Sequence, residues 1–488
     1  MIEETRPSKT KFIEKYNLWD HEQKAAAAEV CNRINLEDLT SVRFSFADQH
    51  GILRGKTIVA DAVTDVFEDG VNVTTSLLAK DTSHKTVFPV WEKGAGMGLS
   101  HMEGAGDIYL VPDPATFKIL PWASKTGWIQ CDIYFSDGSP VPFCTRRILR
   151  NQLKKLAESG KEMIVGIEVE FHVMKLDDPS LAPVQSGQPP EPPKVSLMAH
   201  GFQYLTEIRV DEVEPIISVL QSDLLALGLP LRSVEVEFGP SQIEFTFKPL
   251  EGLAAADLMI IFRSAVKQIC RRHGYHATFM CRPNIQNVFA SGWHLHQSLR
   301  EKKTGKNLFV PKSKRQKFLS ETGLNYIGGI LQYAIDSSVF TTPTINGYKR
   351  YRPFTLAPDR IVWGADNKGA MVRAIGGTEN LASRVENRVG EPAANPYLYI
   401  VSQLLSGLEG IKGKVDPGLP SSTPYDTDAP QLPRSLEEAI SALRKSRFYR
   451  NALGNQFVDY IVAIKAAEVS RFLSDVTDWE QKEYFEIF

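Results

Sequence analysis

One stretch constrains the fold of this chain more than any other. In MIVGIEVEFHVM, residues 163–174, Ile167, Val169, Phe171 and Val173 alternate with Glu168, Glu170 and His172. Successive side chains on a strand point to opposite faces, so the pattern predicts a β-strand with one apolar face and one face carrying two carboxylates. Taken alone, such alternation describes any sheet with a wet side. It recurs, however, in SVEVEFGPSQIEFTF, residues 233–247. There Val234, Val236 and Phe238 oppose Glu235 and Glu237, and Ile243, Phe245 and Phe247 oppose Glu244 and Thr246. The intervening Gly-Pro-Ser-Gln predicts a bend that brings Glu237 and Glu244 near each other. A third segment, SGWHLHQSL, puts His294, His296 and Ser298 on one face.

Carboxylates with one or two imidazoles and no thiolates suit Mg²⁺ or Mn²⁺ better than zinc. Later strands reverse the sign of the charge. GAMVRAI places Arg373 in an apolar segment, SRVENRV alternates Arg384, Glu386 and Arg388, and the loop NGYKRYRPFTLAP holds Lys349, Arg350 and Arg352. Guanidinium groups facing metal-binding carboxylates can grip phosphates or a substrate carboxylate in bidentate fashion. The competing reading is a structural ion-pair lattice. Together the segments describe a phosphoryl-transfer site. There is no GxxxxGK[ST] motif, and an isolated pair such as Gly376-Gly377 is no nucleotide cradle.

Composition narrows the remaining classes. The chain has 488 residues, 56 Lys+Arg against 58 Asp+Glu, 43% hydrophobic and 23% charged residues. That is ample material for a core, which excludes a mainly disordered chain, and near-neutrality gives no electrostatic reason for a nucleic acid or anionic membrane partner. No apolar run reaches the length of a membrane span, and the start MIEETRPSKTKFIEKYNLWD does not read as a secretory signal. Five cysteines (Cys31, Cys131, Cys144, Cys270, Cys281) without CxxC spacing fit a reducing cytoplasm, as small buried hydrophobes.

Helices are expected at 20–34, in ILRNQLKKLAESG, DEVEPIISVLQSDLLALG, LAAADLMIIFRSAVKQICRRHG, PYLYIVSQLLSGLEGI and SLEEAISALRKS, the last opened by a capping box of Ser435 and Glu438. DDPSLAPVQSGQPPEPPK reads as a long surface loop. The fold class is α+β, with a small mixed domain over 1–140 and a larger domain of antiparallel strands with outer helices over 141–488.

In order, GIEVEFHV, VEVEFGPSQIEF, SGWHLHQSL, NGYKRYRPFTLAP, NKGAMVRA and RVENRVGEPAANPYLYIVSQLLSGLEGI resemble glutamine synthetase and its glutamate–amine ligase relatives, across about residues 164–412. FADQHGILRGK and LVPDP are a looser match to that family's small β-grasp domain. The resemblance implies a half-barrel of antiparallel strands in the large domain. It also implies a ring-shaped homo-oligomer, often a dodecamer of two hexamers, each site completed by the neighbour's small domain. By position it implies Glu170, Glu237 and Glu244 as ligands of one metal and Glu168, His294 and Glu386 as ligands of another. His296 and Ser298 match nucleotide-contacting positions, Lys368 and Arg373 phosphate-binding ones, and Arg350 and Arg388 the arginines that hold glutamate. The implied reaction is phosphorylation of the glutamate side-chain carboxylate by ATP, followed by displacement of phosphate by an amine.

Departures from the family pattern bear on the amine. True glutamine synthetases carry a glutamate six residues after the matching arginine to bind ammonium and take its proton; here Leu356 stands there. No acid in GVNVTTSLLAKDTSHK is assigned to the family's other ammonium-binding position. An apolar side chain offers an ammonium ion neither a counter-charge nor a base. The expected acceptor is an organic amine with Leu356 against its apolar part, ideally an aromatic amine such as aniline, which is neutral near pH 7. Alkylamines rank next and polyamines lower. The alternative is that Glu391 or Asp359 replaces the missing acid and ammonia remains the substrate. Lys368 replaces the usual arginine, and Phe289-Ala290 an Asn-Gly pair that meets glutamate. Tyr425 lies where some relatives carry an adenylylated tyrosine. A non-catalytic relative and a two-metal phosphohydrolase are the competing function classes.

Overall fold

The computed structural model describes residues 10–180, 182–313 and 318–488. The chain divides into two compact units, one of residues up to Ala79, Phe88–Arg147 and Ala226–Gly228, the other of Lys80–Val87, Ile148–Leu225 and Leu229–Phe488.

The first unit is built on a mixed sheet of β1 (Ser41–Ala47), β2 (Leu53–Val59), β3 (Val71–Thr74), β4 (Asp107–Pro112), β5 (Lys118–Ile119) and β6 (Thr126–Phe135). The order is β2-β1-β6-β4-β3, with β5 beside β6. β1 and β6 run parallel and the other pairs antiparallel. The helix His21–Leu36 begins at Asp20, whose carboxylate accepts from Gln23 N while the Gln23 side chain accepts from Asp20 N, and it buries Ala27, Val30 and Ile34. This is the grasp-like arrangement expected of the small domain.

The second unit contains β7 (Lys161–Leu176), β8 (Val195–Ser196), β9 (Leu231–Val236), β10 (Gln242–Phe247), β11 (Leu250–Glu251), β12 (Tyr275–Thr278), β13 (Trp293–Glu301), β14 (Trp363–Ala365), β15 (Val372–Ile375) and β16 (Arg384–Asn387). They form one half-barrel sheet in the order β14-β15-β16-β13-β7-β10-β9, with β8, β11 and β12 also pairing with β7. Every pair is antiparallel except β14 with β15.

The apolar face behaves as the alternation requires. Phe171 and Phe245 are fully buried, and the rings of Phe171, Phe245 and Phe247 lie 5.8, 5.5 and 5.1 Å from Phe262 on the helix Gly252–Arg272. Each such buried ring contributes about 1.5–3 kcal/mol. That dry layer fixes which side of the sheet is left for charge. Arg263 of the same helix donates to Pro392 O (3.0 Å) and Ala394 O (2.8 Å), anchoring the segment after β16. Asn395 then caps the helix Pro396–Gly413.

Two local expectations need correction. Ser435 does accept from Glu438 N, but the Glu438 carboxylate reaches Arg434 N (2.8 Å) rather than Ser435 N, so the reciprocal box closes one residue early. Phe238 does not continue the apolar face of β9, because the strand ends at Val236 and the following bend turns its ring outward. The Pro-rich stretch 177–194 is irregular apart from Pro183–Gln185, and Leu181 lies outside the described residues. Among the described residues no helix is long and apolar enough to cross a membrane.

The helices Glu321–Gln332 and Pro396–Gly413 cross at glycines: a Cβ on Gly329 would lie 2.0 Å from Ser406 O, and one on Gly410 would lie 2.3 Å from Asn325 O. Backbone obstructs both positions, so a methyl group must part the helices. Gly329→Ala is therefore expected to destabilise the protein by about 1–3 kcal/mol, read as a lowered thermal midpoint; an unchanged midpoint would show that the crossing is loose.

Candidate active site

The strand registers bring together residues that are far apart in sequence. Across β7 and β10, Glu170 pairs with Glu244, and across β10 and β9, Glu244 pairs with Glu235. On the other side of β7, His294 of β13 lies opposite Glu168; beyond it, Glu386 of β16 lies between His296 and Arg373 of β15. Because β-strand side chains alternate, these groups share one face. Apart from the fully buried Glu386, they line a cavity of ≈ 960 Å³ within the second unit, together with Glu237, Ser298, Arg350, Leu356, Lys368 and Arg388.

Half of the charge is paired. Glu168 accepts from His294 Nδ1 (2.7 Å) and His296 Nε2 (3.1 Å). Glu386, fully buried, accepts from Arg373 Nη1 (3.1 Å) and from Arg388 Nη1. Burial would raise the pKa of Glu168, but the hydrogen bonds from the two histidines outweigh it and hold the group well below the usual carboxylate range. At Glu386 burial is likewise outweighed, there chiefly by the charge of Arg388. Arg384 Nε donates to His296 Nδ1 (3.2 Å), which leaves His296 Nε2 to donate to Glu168.

The other half is not paired. Glu170 is held by Gln242 Nε2 (3.0 Å) and Gly292 N (2.9 Å), yet burial and the Glu237 charge raise its pKa to about 8. Glu244 rises to about 11 through burial and then the charges of Glu168, Glu170, Glu237 and Glu235. Glu237 is raised by burial as well. His294 is pushed down to about 4, first by burial and then by Arg388, so its imidazole is neutral.

This donor set fits divalent cations. Glu168, His294 and Glu386 offer ligand atoms within 4.8 Å of one another, and so do Glu170, Glu244 and His294. With Nδ1 directed at Glu168, His294 Nε2 is buried and has no hydrogen-bond partner, 3.9 Å from Glu170 Oε1. A buried lone pair beside under-compensated carboxylates is what a hard or intermediate cation satisfies. Glu237 falls outside both groups: it sits beyond the end of β9, and its carboxylate accepts from Phe238 N (3.2 Å).

The arginines converge on the same place. Arg350 Nη1 donates to Arg388 O (3.1 Å), and both residues are buried. Gly292 leaves room for both groups, since a Cβ would lie 2.5 Å from Arg350 Nη2 and 3.1 Å from His294 Nε2. Arg373 is shared between Glu386 and Asp366, the latter at 2.5 Å. Ser298 lies farther along β13 and Lys368 in the turn before β15.

Leu356 lines the cavity, is 60% exposed and has φ +58°; Phe354 has φ +61° and its ring lies 5.3 Å from Tyr425. Neither proposed substitute for a flap acid reaches the cavity. Glu391 is buried with both oxygens on Thr344, accepting from N and Oγ1 at 2.7 Å each, and Asp359 is not among the lining residues. Asp81, the acid of segment 70–85, accepts from Ser83 N and Lys85 N and pairs with Arg471 at 3.0 Å.

Gln242 carries no charge to mark it in the sequence, although it shares the period-two spacing of Glu244 and Thr246. It also donates to Ala290 O (3.2 Å) and Ser291 Oγ (3.1 Å), so it ties Glu170 to the loop before β13.

Residues 142–484 match the family described as glutamine synthetase, catalytic domain. Over 98% of this chain and 99% of the relative, the sequence is 45% identical to a gamma-glutamylanilide synthase of Acinetobacter sp. It is 30% identical to a glutamate–isopropylamine ligase of Pseudomonas sp, over 96% of this chain and 99% of that one. The solved structure of apo GmaS superposes with a TM-score of 0.78 at 26% identity, covering 93% of this chain and 99% of that chain. Family, fold and a charged cavity with its carboxylate and histidine cluster agree: the chain belongs to the glutamine synthetase family and is an ATP-dependent glutamate–amine ligase.

Proposed function

We propose that the enzyme joins L-glutamate to an aromatic amine such as aniline, giving a γ-glutamylamide in amine catabolism. The observation that carries this reading is the apolar flap. Leu356 lines the cavity, while the carboxylates of Glu391 and Asp81 are occupied elsewhere and Asp359 lies off the wall. A cationic acceptor would lack a counter-charge there, whereas a weakly basic aryl amine arrives neutral with its lone pair available. The 45% identity to a gamma-glutamylanilide synthase supports the same reading. The likeness to a glutamate–isopropylamine ligase keeps small alkylamines as the second reading.

In the first step a γ-carboxylate oxygen of glutamate attacks the terminal phosphorus of ATP, the P–O bond to ADP breaks, and γ-glutamyl phosphate forms. In the second the amine nitrogen attacks the acyl carbon. A C–N bond forms, phosphate leaves with the C–O electron pair, and the nitrogen loses a proton. Glu170, Glu237 and Glu244 on one side and Glu168, His294 and Glu386 on the other would hold Mg²⁺ or Mn²⁺ ions, which when bound would supply positive charge against the phosphates. Arg350 and Arg388 grip glutamate, and their burial strengthens that grip. Arg373 and Lys368 hold the phosphates, Lys368 as a point charge without a bidentate fork. His296 and Ser298 contact the nucleotide. We place the working enzyme in the cytoplasm as a homododecamer of two hexameric rings, with a neighbour's small domain completing each site; the five free cysteines accord with a reducing compartment.

Phosphate release should require ATP, L-glutamate and amine together, with kcat/KM for aniline about 100-fold above that for ammonium. Turnover fastest with ammonium would overturn the reading. Leu356→Glu should shift preference towards ammonium by about tenfold or more, by restoring a counter-charge.

Metal binding should be linked to protons. Glu170 and Glu244 have folded-state pKa values raised to about 8 and about 11, so their contribution to metal-free stability is full below the unfolded value and is lost as pH rises through the folded ones. Cations bind the ionised forms and cancel that loss. The rise in thermal midpoint on adding Mn²⁺ should therefore be larger at about pH 8 than at about pH 6, with proton release on binding. Glu244→Gln should shrink both effects; a pH-independent rise would contradict the assignment.

A further inference from the structure

The cavity that holds these carboxylates also carries two phenylalanine rings in its wall. Phe238 and Phe289 both line it, with ring centroids 5.2 Å apart at 60°, and Phe202 contacts Phe238 at 5.7 Å. Phe238 is 46% exposed, whereas Phe171 and Phe245 on the dry face of the same sheet are at 0%. A half-exposed ring in a cavity wall, paired with a second ring, offers an apolar face to whatever enters the cavity.

The two rings reach each other because the loops that carry them touch. Gly239 makes this possible: a Cβ there would lie 3.1 Å from Phe289 Cβ and 3.2 Å from Phe289 N. The Phe289 loop then runs directly into the reaction centre. Three residues on, Gly292 N holds Glu170 and the glycine abuts Arg350. On the other loop, Phe238 follows Glu237 immediately. The adjoining Val288 and Ala290 also line the cavity and add no charge. The nucleotide base is an unsuitable occupant. Ser298 lies five residues along β13 from its start at Trp293, about 16 Å at the rise of a strand.

We infer that Phe238 and Phe289 form the subsite for the aryl ring of the acceptor amine, the ring packing on their faces and edges while its nitrogen is presented to the glutamyl group near Arg350. This deepens the proposed function and rests on it. Phe289 then acts in acceptor selection, at a position where the family pattern has a glutamate-contacting Asn-Gly pair, and Leu356 lines the same cavity from the flap.

The test is steady-state kinetics of Phe238→Ala, Phe289→Ala and Phe289→Leu with aniline, ATP and L-glutamate. Each alanine variant should raise KM for aniline about tenfold and leave KM for ATP within about twofold, and Phe289→Leu should recover most of the loss. Phe238 is half exposed, so its alanine variant is expected to fold even where Phe289→Ala does not; thermal midpoints check both. An unchanged KM for aniline in Phe238→Ala, or an equal rise in KM for ATP in either alanine variant, would overturn the subsite alone. Failure of the proposed function shows in the wild type instead, as no phosphate release with aniline, and would overturn the aryl subsite with it.

Discussion

The structure depends on a row of like charge. Glu170, Glu244 and Glu235 stand opposite one another on three adjacent strands, with Glu237 close by, at positions where a sheet ordinarily avoids like charges. Burial makes the conflict worse, since each carboxylate loses hydration without gaining a cation from the chain. The opposite face makes the arrangement possible. There Phe171, Phe245 and Phe247 close on Phe262, and the stability of that layer holds β7, β9 and β10 in a register that their charged face alone would not keep.

Charge around the row is unequally compensated, and the inequality has chemical content. Glu168 and Glu386 have two histidines and two arginines as partners, so they stay ionised over the working pH range. Glu170 and Glu244 have polar donors at most and retain protons until a cation replaces them. His294 joins the two halves, with Nδ1 committed to Glu168 and Nε2 uncommitted. One face of one sheet thus offers two electrostatically different cation environments a few ångströms apart, as phosphoryl transfer between two anions demands.

Much of this was legible in local sequence because the period of two assigns faces without reference to tertiary structure. It placed Glu168 and Glu170, Glu235 and Glu244, and His294 and His296 correctly with respect to the core. It stopped being informative where strands stop. Phe238 continues the alternation on paper, but the bend at 237–241 reverses its side, and Glu237 leaves the tight cluster for the same reason. Gln242 falls within the Gly-Pro-Ser-Gln bend by its sequence, yet it opens β10. The Glu438 carboxylate found Arg434 N, a choice made by local backbone geometry that the Ser-x-x-Glu spacing does not encode. The occupation of Glu391 by Thr344, 47 residues upstream, is invisible to any local reading.

The flap presents an apolar side chain to the cavity where an acid is absent. Phe354 and Leu356 both adopt positive φ, a conformation costing on the order of 1 kcal/mol for a non-glycine residue. Phe354 rests against Tyr425, whose buried Oη faces the backbone of Leu356. A hydroxyl enclosed in this way is poorly placed as an acceptor for adenylyl transfer, because the flap would have to lift first. Its ring instead supports the segment that carries Leu356 to the cavity. Leu356, 60% exposed, offers the cavity an apolar surface and no charge. The flap, the Phe238–Phe289 wall and the occupied carboxylates of Glu391 and Asp81 therefore favour the same acceptor, one that brings an apolar body and no charge.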